Sequence, residues 1–276
     1  MNQFRDKVTV ITGGASGIGR AICEELGRRG AIVLAADINA SGAEEVAAKI
    51  NQAGGRGFSA YVDVSKADDV KKLVQETFQQ HGRIDYMFNN AGIAVFGEVR
   101  DMTHDDWQRI LDINLHGVIY GTTEAYQLMV RQGFGHIVNT ASLAGLVPVA
   151  GLTSYTTTKF AVVGLSTSLR TEAIDLGVKV SVICPGIIRT PIIEAGQYIN
   201  LDVDQLRAMS QPRMMEVDDA AKIILRGVTR NKAIITFPIV PKILWWFYSI
   251  CPKLYHFWAK TMFKKVRALR KSVANS

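Results

Sequence analysis

Tyr155 and Lys159 stand four residues apart in the stretch Tyr155-Thr-Thr-Thr-Lys159. On a helix that spacing puts both side chains on one face. A free phenol titrates near ~10 and ionises poorly at neutral pH. An ammonium beside it, with the positive charge of a nicotinamide, stabilises phenolate, so the pair reads as an acid/base tyrosine tuned by a lysine. Lys159 is also within reach of a nicotinamide ribose. Ser142, 13 residues earlier, offers a hydroxyl to a substrate oxygen on which charge develops. Asn114 interrupts the apolar turn Ile110-Leu111-Asp112-Ile113-Asn114-Leu115 as a poor helix former, and is expected to hold a water for a proton relay through Lys159.

A second group of residues suits a dinucleotide. Thr12-Gly13-Gly14-Ala15-Ser16-Gly17-Ile18-Gly19 follows an apolar run and opens a helical pattern. Gly13, Gly17 and Gly19 permit a tight turn and close backbone approach to a pyrophosphate. The following helix N-terminus supplies free N–H groups and the positive end of a dipole. Asp37 comes 18 residues after Gly19 and can accept both hydroxyls of an adenosine ribose, while repelling a 2′-phosphate. Ala15, Ser16 and Ile38 carry no cation, which points to NAD(H) as the cofactor. Asp63 and Val64 are placed to hold the adenine edge. The small residues of Asn89-Asn90-Ala91-Gly92 leave room for a flat ligand.

These residues sit at the ends of a regular alternation. Apolar runs at 8–12, 31–36, 57–62, 84–89, 135–140, 179–184 and 233–237 read as strands. Amphipathic stretches through Arg28 and over 41–52, 67–81, 104–132, 154–176 and 218–229 read as helices. Strands alternating with helices of this length predict a doubly wound α/β fold with one seven-stranded parallel sheet. Its ligand belongs beyond the carboxyl edge of the strands. No repeat or linker divides residues 1–238.

The ordered set Thr12–Gly19, Asp63, Asn89–Gly92, Asn114, Ser142, Tyr155–Lys159 and Pro185-Gly186 through Thr190 resembles the classical short-chain dehydrogenase/reductase family over residues 5 to about 238. The resemblance implies a Rossmann-type domain with Asn114, Ser142, Tyr155 and Lys159 as a catalytic tetrad. It implies a cofactor site built from Gly13, Ser16, Gly17, Ile18, Gly19, Asp37, Asp63, Val64, Asn90, Ala91 and Gly92. It adds Tyr155, Lys159, Pro185 and Gly186, with Ile188 and Thr190 against the nicotinamide carboxamide. It also implies a homodimer or homotetramer, and a substrate loop at about 187–217. That loop is apolar, with Met209, Met214 and Met215, so a hydrophobic secondary alcohol or its ketone is the expected substrate. A non-catalytic NAD-binding scaffold is the alternative. An epimerase or dehydratase of the extended branch fits the glycine spacing less well.

The net charge of the 276 residues is +7, yet residues 231–276 hold nine Lys/Arg and no Asp or Glu. The rest of the chain is slightly acidic, which argues against nucleic acid as a partner. Cys23, Cys184 and Cys251 lie far apart and form no metal-ligand set. The N-terminus has no long apolar segment, so a cytoplasmic enzyme is expected.

The extension 239–276 carries Trp245, Trp246 and Trp258 but no apolar stretch near the ~20 residues that span a bilayer. A helical wheel from Lys253 separates Lys253, His256, Lys260, Lys264, Arg267 and Lys271 from Leu254, Tyr255, Trp258, Met262, Val266 and Leu269. Phe257 and Phe263 fall off the apolar side. A peripheral membrane contact, a lid over the substrate and a subunit contact all fit this pattern.

Overall fold

The computed structural model describes residues 3–208, 214–268 and 270. Met209, Leu269 and Lys271 lie outside the described residues. Nine strands occur among the described residues: β1 Val8–Thr12, β2 Ile32–Asp37, β3 Arg56–Tyr61, β4 Tyr86–Asn89, β5 Val95–Phe96, β6 Gly135–Thr140, β7 Val178–Pro185, β8 Gln197–Tyr198 and β9 Ile234–Phe237. Seven of them form one sheet in the order β3-β2-β1-β4-β6-β7-β9, with every neighbouring pair parallel. This is the expected seven-stranded sheet. The pair β5–β8 forms a separate small sheet that hydropathy does not announce.

Among the described residues ten α-helices accompany the strands: α1 Gly17–Arg28, α2 Ala40–Gln52, α3 Ala67–His81, α4 His104–Leu111, α5 Gly117–Gln132, α6 Thr153–Glu172, α7 Val203–Ala208, α8 Val217–Thr229, α9 Ile239–Ile250 and α10 Pro252–Arg267. Alternate strand residues fill two layers. Ile11, Val33, Ala35, Phe88, Val138 and Ile183 pack on one side with the inner faces of α1, α2 and α8. Val10, Ala36, Met87, Ile137 and Val180 pack on the other with α3, α5 and the end of α6. Strands covered on both faces need apolar residues throughout, which is why β1 reads as a continuous run with every residue buried.

The helical stretch expected over 104–132 is continuous but changes its hydrogen-bond pattern part-way. Between α4 and α5 the backbone passes through a π-turn at Asp112–His116, and Asn114 lies in it, completely buried. A π-turn widens the helix by one residue and frees backbone groups locally. Here the Asn114 side chain turns outward from the helix to meet another loop.

The extension folds back on the body. Pro241, at the start of α9, is buried against Gly186 beyond β7; a Cβ on Gly186 would lie 2.5 Å from Pro241 Cγ. Tyr255 of α10 is buried, and its hydroxyl donates to the Pro148 carbonyl at 2.7 Å. Its ring meets Tyr248 at 5.1 Å and Trp258 at 5.9 Å. Burying an aromatic ring of this kind contributes about 2–3 kcal/mol. The inward stripe of α10 is therefore Tyr255, Ala259, Phe263 and Val266, whereas Leu254, Trp258 and Met262 are largely exposed. The wheel placed Phe263 off the apolar face. Apolar residues cover most of the helix circumference, and contact with the body, not hydropathy alone, chooses the inner stripe.

Candidate active site

A cleft of about 910 Å³ opens along the carboxyl ends of the strands. The turn after β1 forms one wall. Gly13 has φ +66°, and a Cβ there would stand 2.8 Å from Ala91 Cα, so only glycine fits. A Cβ on Gly19 would stand 1.9 Å from the Gly13 carbonyl oxygen. Gly19 is buried and lies outside the cleft lining: it closes the turn from behind, where the sequence suggested direct cofactor contact. Ser16 caps α1 with no side-chain hydrogen bond of its own, so the first N–H groups of the helix stay available to an anion.

Asp37 ends β2 at the same wall. One carboxylate oxygen accepts from Ala15 N–H at 3.0 Å and the other from Asn39 N–H at 2.9 Å. These bonds fix the carboxylate beside the Gly-rich turn. Asp63 follows β3; a hydrogen bond from Ser65, with smaller help from Lys66, holds its carboxyl below the usual range. Asn90 ties β4 to the turn: its Nδ2 donates to the Thr12 and Gly13 carbonyls at 3.2 and 3.3 Å. Gly13, Ser16, Gly17, Ile18, Asp37, Asp63, Val64, Asn90, Ala91 and Gly92 all line the cleft, as do Pro185, Gly186, Ile188 and Thr190 at its other end. Ile188 is also bridged to Met215, which pins the loop after β7 to the body.

Ser142, Tyr155 and Lys159 meet in the middle of this cleft. Ser142 caps a short 3₁₀ turn after β6 and accepts from Ala144 N–H at 3.2 Å, an interaction that aims its hydroxyl. Tyr155 and Lys159 come from α6. Lys159 Nζ donates to the Thr140 carbonyl at 3.0 Å and lies 5.4 Å from the centre of the Tyr155 ring. Burial lowers Lys159 to about 8, against a small opposing effect of Cys184. Burial also pushes the Tyr155 phenol above its ordinary value, and a hydrogen bond from Ser142 pulls it back. Lys159 was expected to hold the phenol down. Its ammonium lies over the ring face while donating to the Thr140 carbonyl, and the Ser142 hydrogen bond also favours phenolate. Beneath them the Cys184 thiol is pushed up to about 12 by burial and stays neutral.

Asn114 does not reach the cleft lining. Its Oδ1 accepts from Ile93 N–H at 2.8 Å and its Nδ2 donates to the Ile93 carbonyl at 2.9 Å. The side chain thus imitates a strand neighbour and clamps the loop after β4. A Cβ on Gly92 would lie 3.2 Å from Asn114 Oδ1 and 3.6 Å from Lys159 Nζ, so the two groups flank the same glycine.

The substrate side combines Phe96, Leu152, Tyr198 and Leu201, which the sequence did not single out, with Met214 and Val266, which it did. Phe96 and Tyr198, brought together by the β5–β8 pairing, stack at 4.6 Å with rings 4° apart. Leu152, Leu201 and Met214 join them, and Val266 of α10 completes the wall. Two-residue strands about a hundred positions apart leave no periodic signal to find. Around Val266 the extension is latched: Arg267 forks onto Glu98 at 3.1 and 2.9 Å, and Arg270 pairs with Asp101. Among the described residues no cluster of His, Cys, Asp or Glu could hold a metal ion.

Known proteins place this arrangement. The family model described as short chain dehydrogenase matches residues 7–197. The chain belongs to the short-chain dehydrogenase family. Among relatives, a 3beta-hydroxysteroid dehydrogenase of Eggerthella lenta is 39% identical over 188 residues, 67% of this chain and 72% of that protein. A cyclohexanol dehydrogenase of an Acinetobacter species is 34% identical over 238 residues, 85% of this chain and 92% of its own length. A short-chain dehydrogenase/reductase from Burkholderia phymatum, solved with NAD, superposes with a TM-score of 0.79 at 27% identity, covering 86% of this chain and 90% of that one. Another from Sphingobium yanoikuyae, solved with NADPH, gives a TM-score of 0.74 at 28% identity, covering 83% and 87%. The chain is thus an oxidoreductase of a family that uses nicotinamide dinucleotides, and the cradle described above fits such a group. The family match ends before α9 and α10 begin.

Proposed function

We propose that this enzyme interconverts a secondary alcohol and its ketone on a hydrophobic molecule, with NAD(H) as cofactor and Tyr155 as the acid/base. The observation that carries the reading is the convergence of Ser142, Tyr155 and Lys159 in the cleft that Asp37 also lines.

Bound NAD⁺ supplies the hydride acceptor for oxidation, and NADH the donor for reduction. In oxidation Tyr155 takes the hydroxyl proton at its phenolic oxygen, and in reduction it returns a proton to the carbonyl oxygen. Ser142 holds that same substrate oxygen. Lys159 keeps a positive charge under the tyrosine ring and hydrogen-bonds toward the cofactor side of the cleft. Asn114 fixes the loop at Ile93 and, next to Gly92 and Lys159, is assigned to the proton relay.

NAD(H) is preferred because the Asp37 carboxylate would oppose a 2′-phosphate, and neither Ser16 nor Ile38 offers a cation. Arg189, which also lines the cleft, is spent on Glu216 at 2.8 Å. An apolar substrate is supported by Phe96, Leu152, Leu201, Met214 and Val266 on the wall, and by relatives named for a steroid alcohol and for cyclohexanol. We assign the protein to the cytoplasm as a homodimer or homotetramer; sedimentation velocity returning a monomer would remove the latter assignment.

The decisive experiment follows NAD⁺ reduction over a panel of apolar secondary alcohols, sterols included, with polyols of matching size as the contrast. Turnover is expected for the apolar set, and Tyr155→Phe should lower kcat by about three orders of magnitude. Full turnover by Tyr155→Phe overturns the assignment.

A further inference from the structure

The α9–α10 hairpin presents apolar side chains to solvent in a regular pattern. On α9, Ile239, Ile243, Trp246 and Ile250 are 56–66% exposed. Their spacing of four, three and four residues places them in one stripe along the helix. Past the corner at Cys251, Leu254, Phe257 and Trp258 of α10 are also 46–70% exposed. The opposite faces are already used: Pro241 packs on Gly186, Tyr255 on Pro148, and Val266 on the cleft.

Helix α10 therefore has three sectors at roughly 100° per residue. One is buried against the body. A second carries Lys253, Lys260 and Lys264. The third carries Leu254, Trp258 and Met262 with Lys265 among them, and Phe257 stands at the border between the second and third. Among the described residues no carboxylate pairs with Lys253, Lys260 or Lys264, and no acidic residue follows Asp219 in the sequence. Among the described residues no helix is long and apolar enough to cross a membrane.

We propose that this outer face docks in the plane of an anionic lipid bilayer, with the α9 stripe and the aromatic residues of α10 sunk at the acyl boundary and the lysines on the headgroups. Helices with a wide apolar face, interfacial tryptophans and an adjoining basic sector bind such surfaces. Charge argues against a second copy of this chain as the occupant, because a two-fold contact would bring two acid-free basic hairpins together. Since Val266 lines the cleft from the inner side of the same helix, docking sets the substrate pocket directly under the lipid surface. Delivery of substrate from lipid rests on the activity proposed above; docking does not.

The test is co-sedimentation of the full-length protein with vesicles of phosphatidylcholine and phosphatidylglycerol, and with phosphatidylcholine alone, without substrate or turnover. The wild type should bind the anionic vesicles, and more weakly as salt rises. The double change Ile243→Glu and Trp246→Glu should lower the partition coefficient about a hundredfold. Replacing Lys253, Lys260 and Lys264 by Gln should lower it about tenfold or more on anionic vesicles while sparing the weak binding to neutral ones. Thermal unfolding should be unchanged, because these side chains are exposed. Absence of wild-type binding, or equal binding by both variants, overturns the proposal. So does a glutamate variant that changes the oligomeric mass while binding vesicles like the wild type, which would identify the face as a contact between copies.

Discussion

The nucleotide end of the cleft and the α9–α10 hairpin hold their geometry by different means. At the nucleotide end the backbone does the positioning: Gly13 touches Ala91, Gly19 closes on Gly13, and Asn90 bonds the carbonyls of Thr12 and Gly13. The hairpin is held by side chains: Tyr255 on Pro148, Arg267 on Glu98 and Arg270 on Asp101. Their surfaces differ too. Among the described residues, nine of the eighteen large exposed hydrophobic side chains fall between Ile239 and Met262. The contrast teaches that cofactor geometry here tolerates little change, whereas the substrate wall can be altered one side chain at a time without disturbing the chemistry.

The comparison can be broken first at its centre. Lys159→Met removes a buried cation beneath Tyr155 and should lower kcat by about a hundredfold. Its pH signature is specific. Lys159 is lowered to about 8, so in the wild type kcat/KM for ketone reduction should fall as pH rises through about 8 and the ammonium is lost. That limb should vanish in the variant; its persistence would assign the ionisation elsewhere. Tyr155 is raised by burial, so alcohol oxidation, which needs phenolate, should climb with pH.

Asp37→Ala is the next largest change. The ratio of kcat/KM for NADH over NADPH should fall by about tenfold to a hundredfold. A wild-type enzyme that already prefers NADPH would contradict the reading of Asp37. The smallest effect belongs to the hairpin. Val266→Trp should lower kcat/KM for a sterol-sized alcohol by about tenfold and leave cyclohexanol within about twofold. Equal losses on both would mean that α10 supports the fold without shaping the pocket.

The body was largely legible from the chain because its signals are local. β1 is a run of β-branched residues flanked by a Gly-rich turn, and Tyr155 and Lys159 are one helical turn apart. Three features escaped, each for a physical reason. The π-turn around Asn114 changes a hydrogen-bond pattern without changing composition. The β5–β8 pair joins two-residue strands whose only specification is the tertiary contact between Phe96 and Tyr198. The inner stripe of α10 could not be chosen by hydropathy, since Tyr255 and Trp258 are both aromatic and only one is buried.

The latch between Arg267 and Glu98 spans 169 positions of sequence, as does that between Arg270 and Asp101. Contacts so distant along the chain carry a large closure entropy unless the folded sheet holds their partners together. The wall at Val266 is therefore held by long-range side-chain contacts added to the sheet rather than by local ones. It also rests on contacts separate from the two main core layers, so it can open as a local unit while the sheet stays folded. Access to the pocket is then governed by the stability of the hairpin's attachment, a quantity that amide exchange in α10 would read independently of global unfolding.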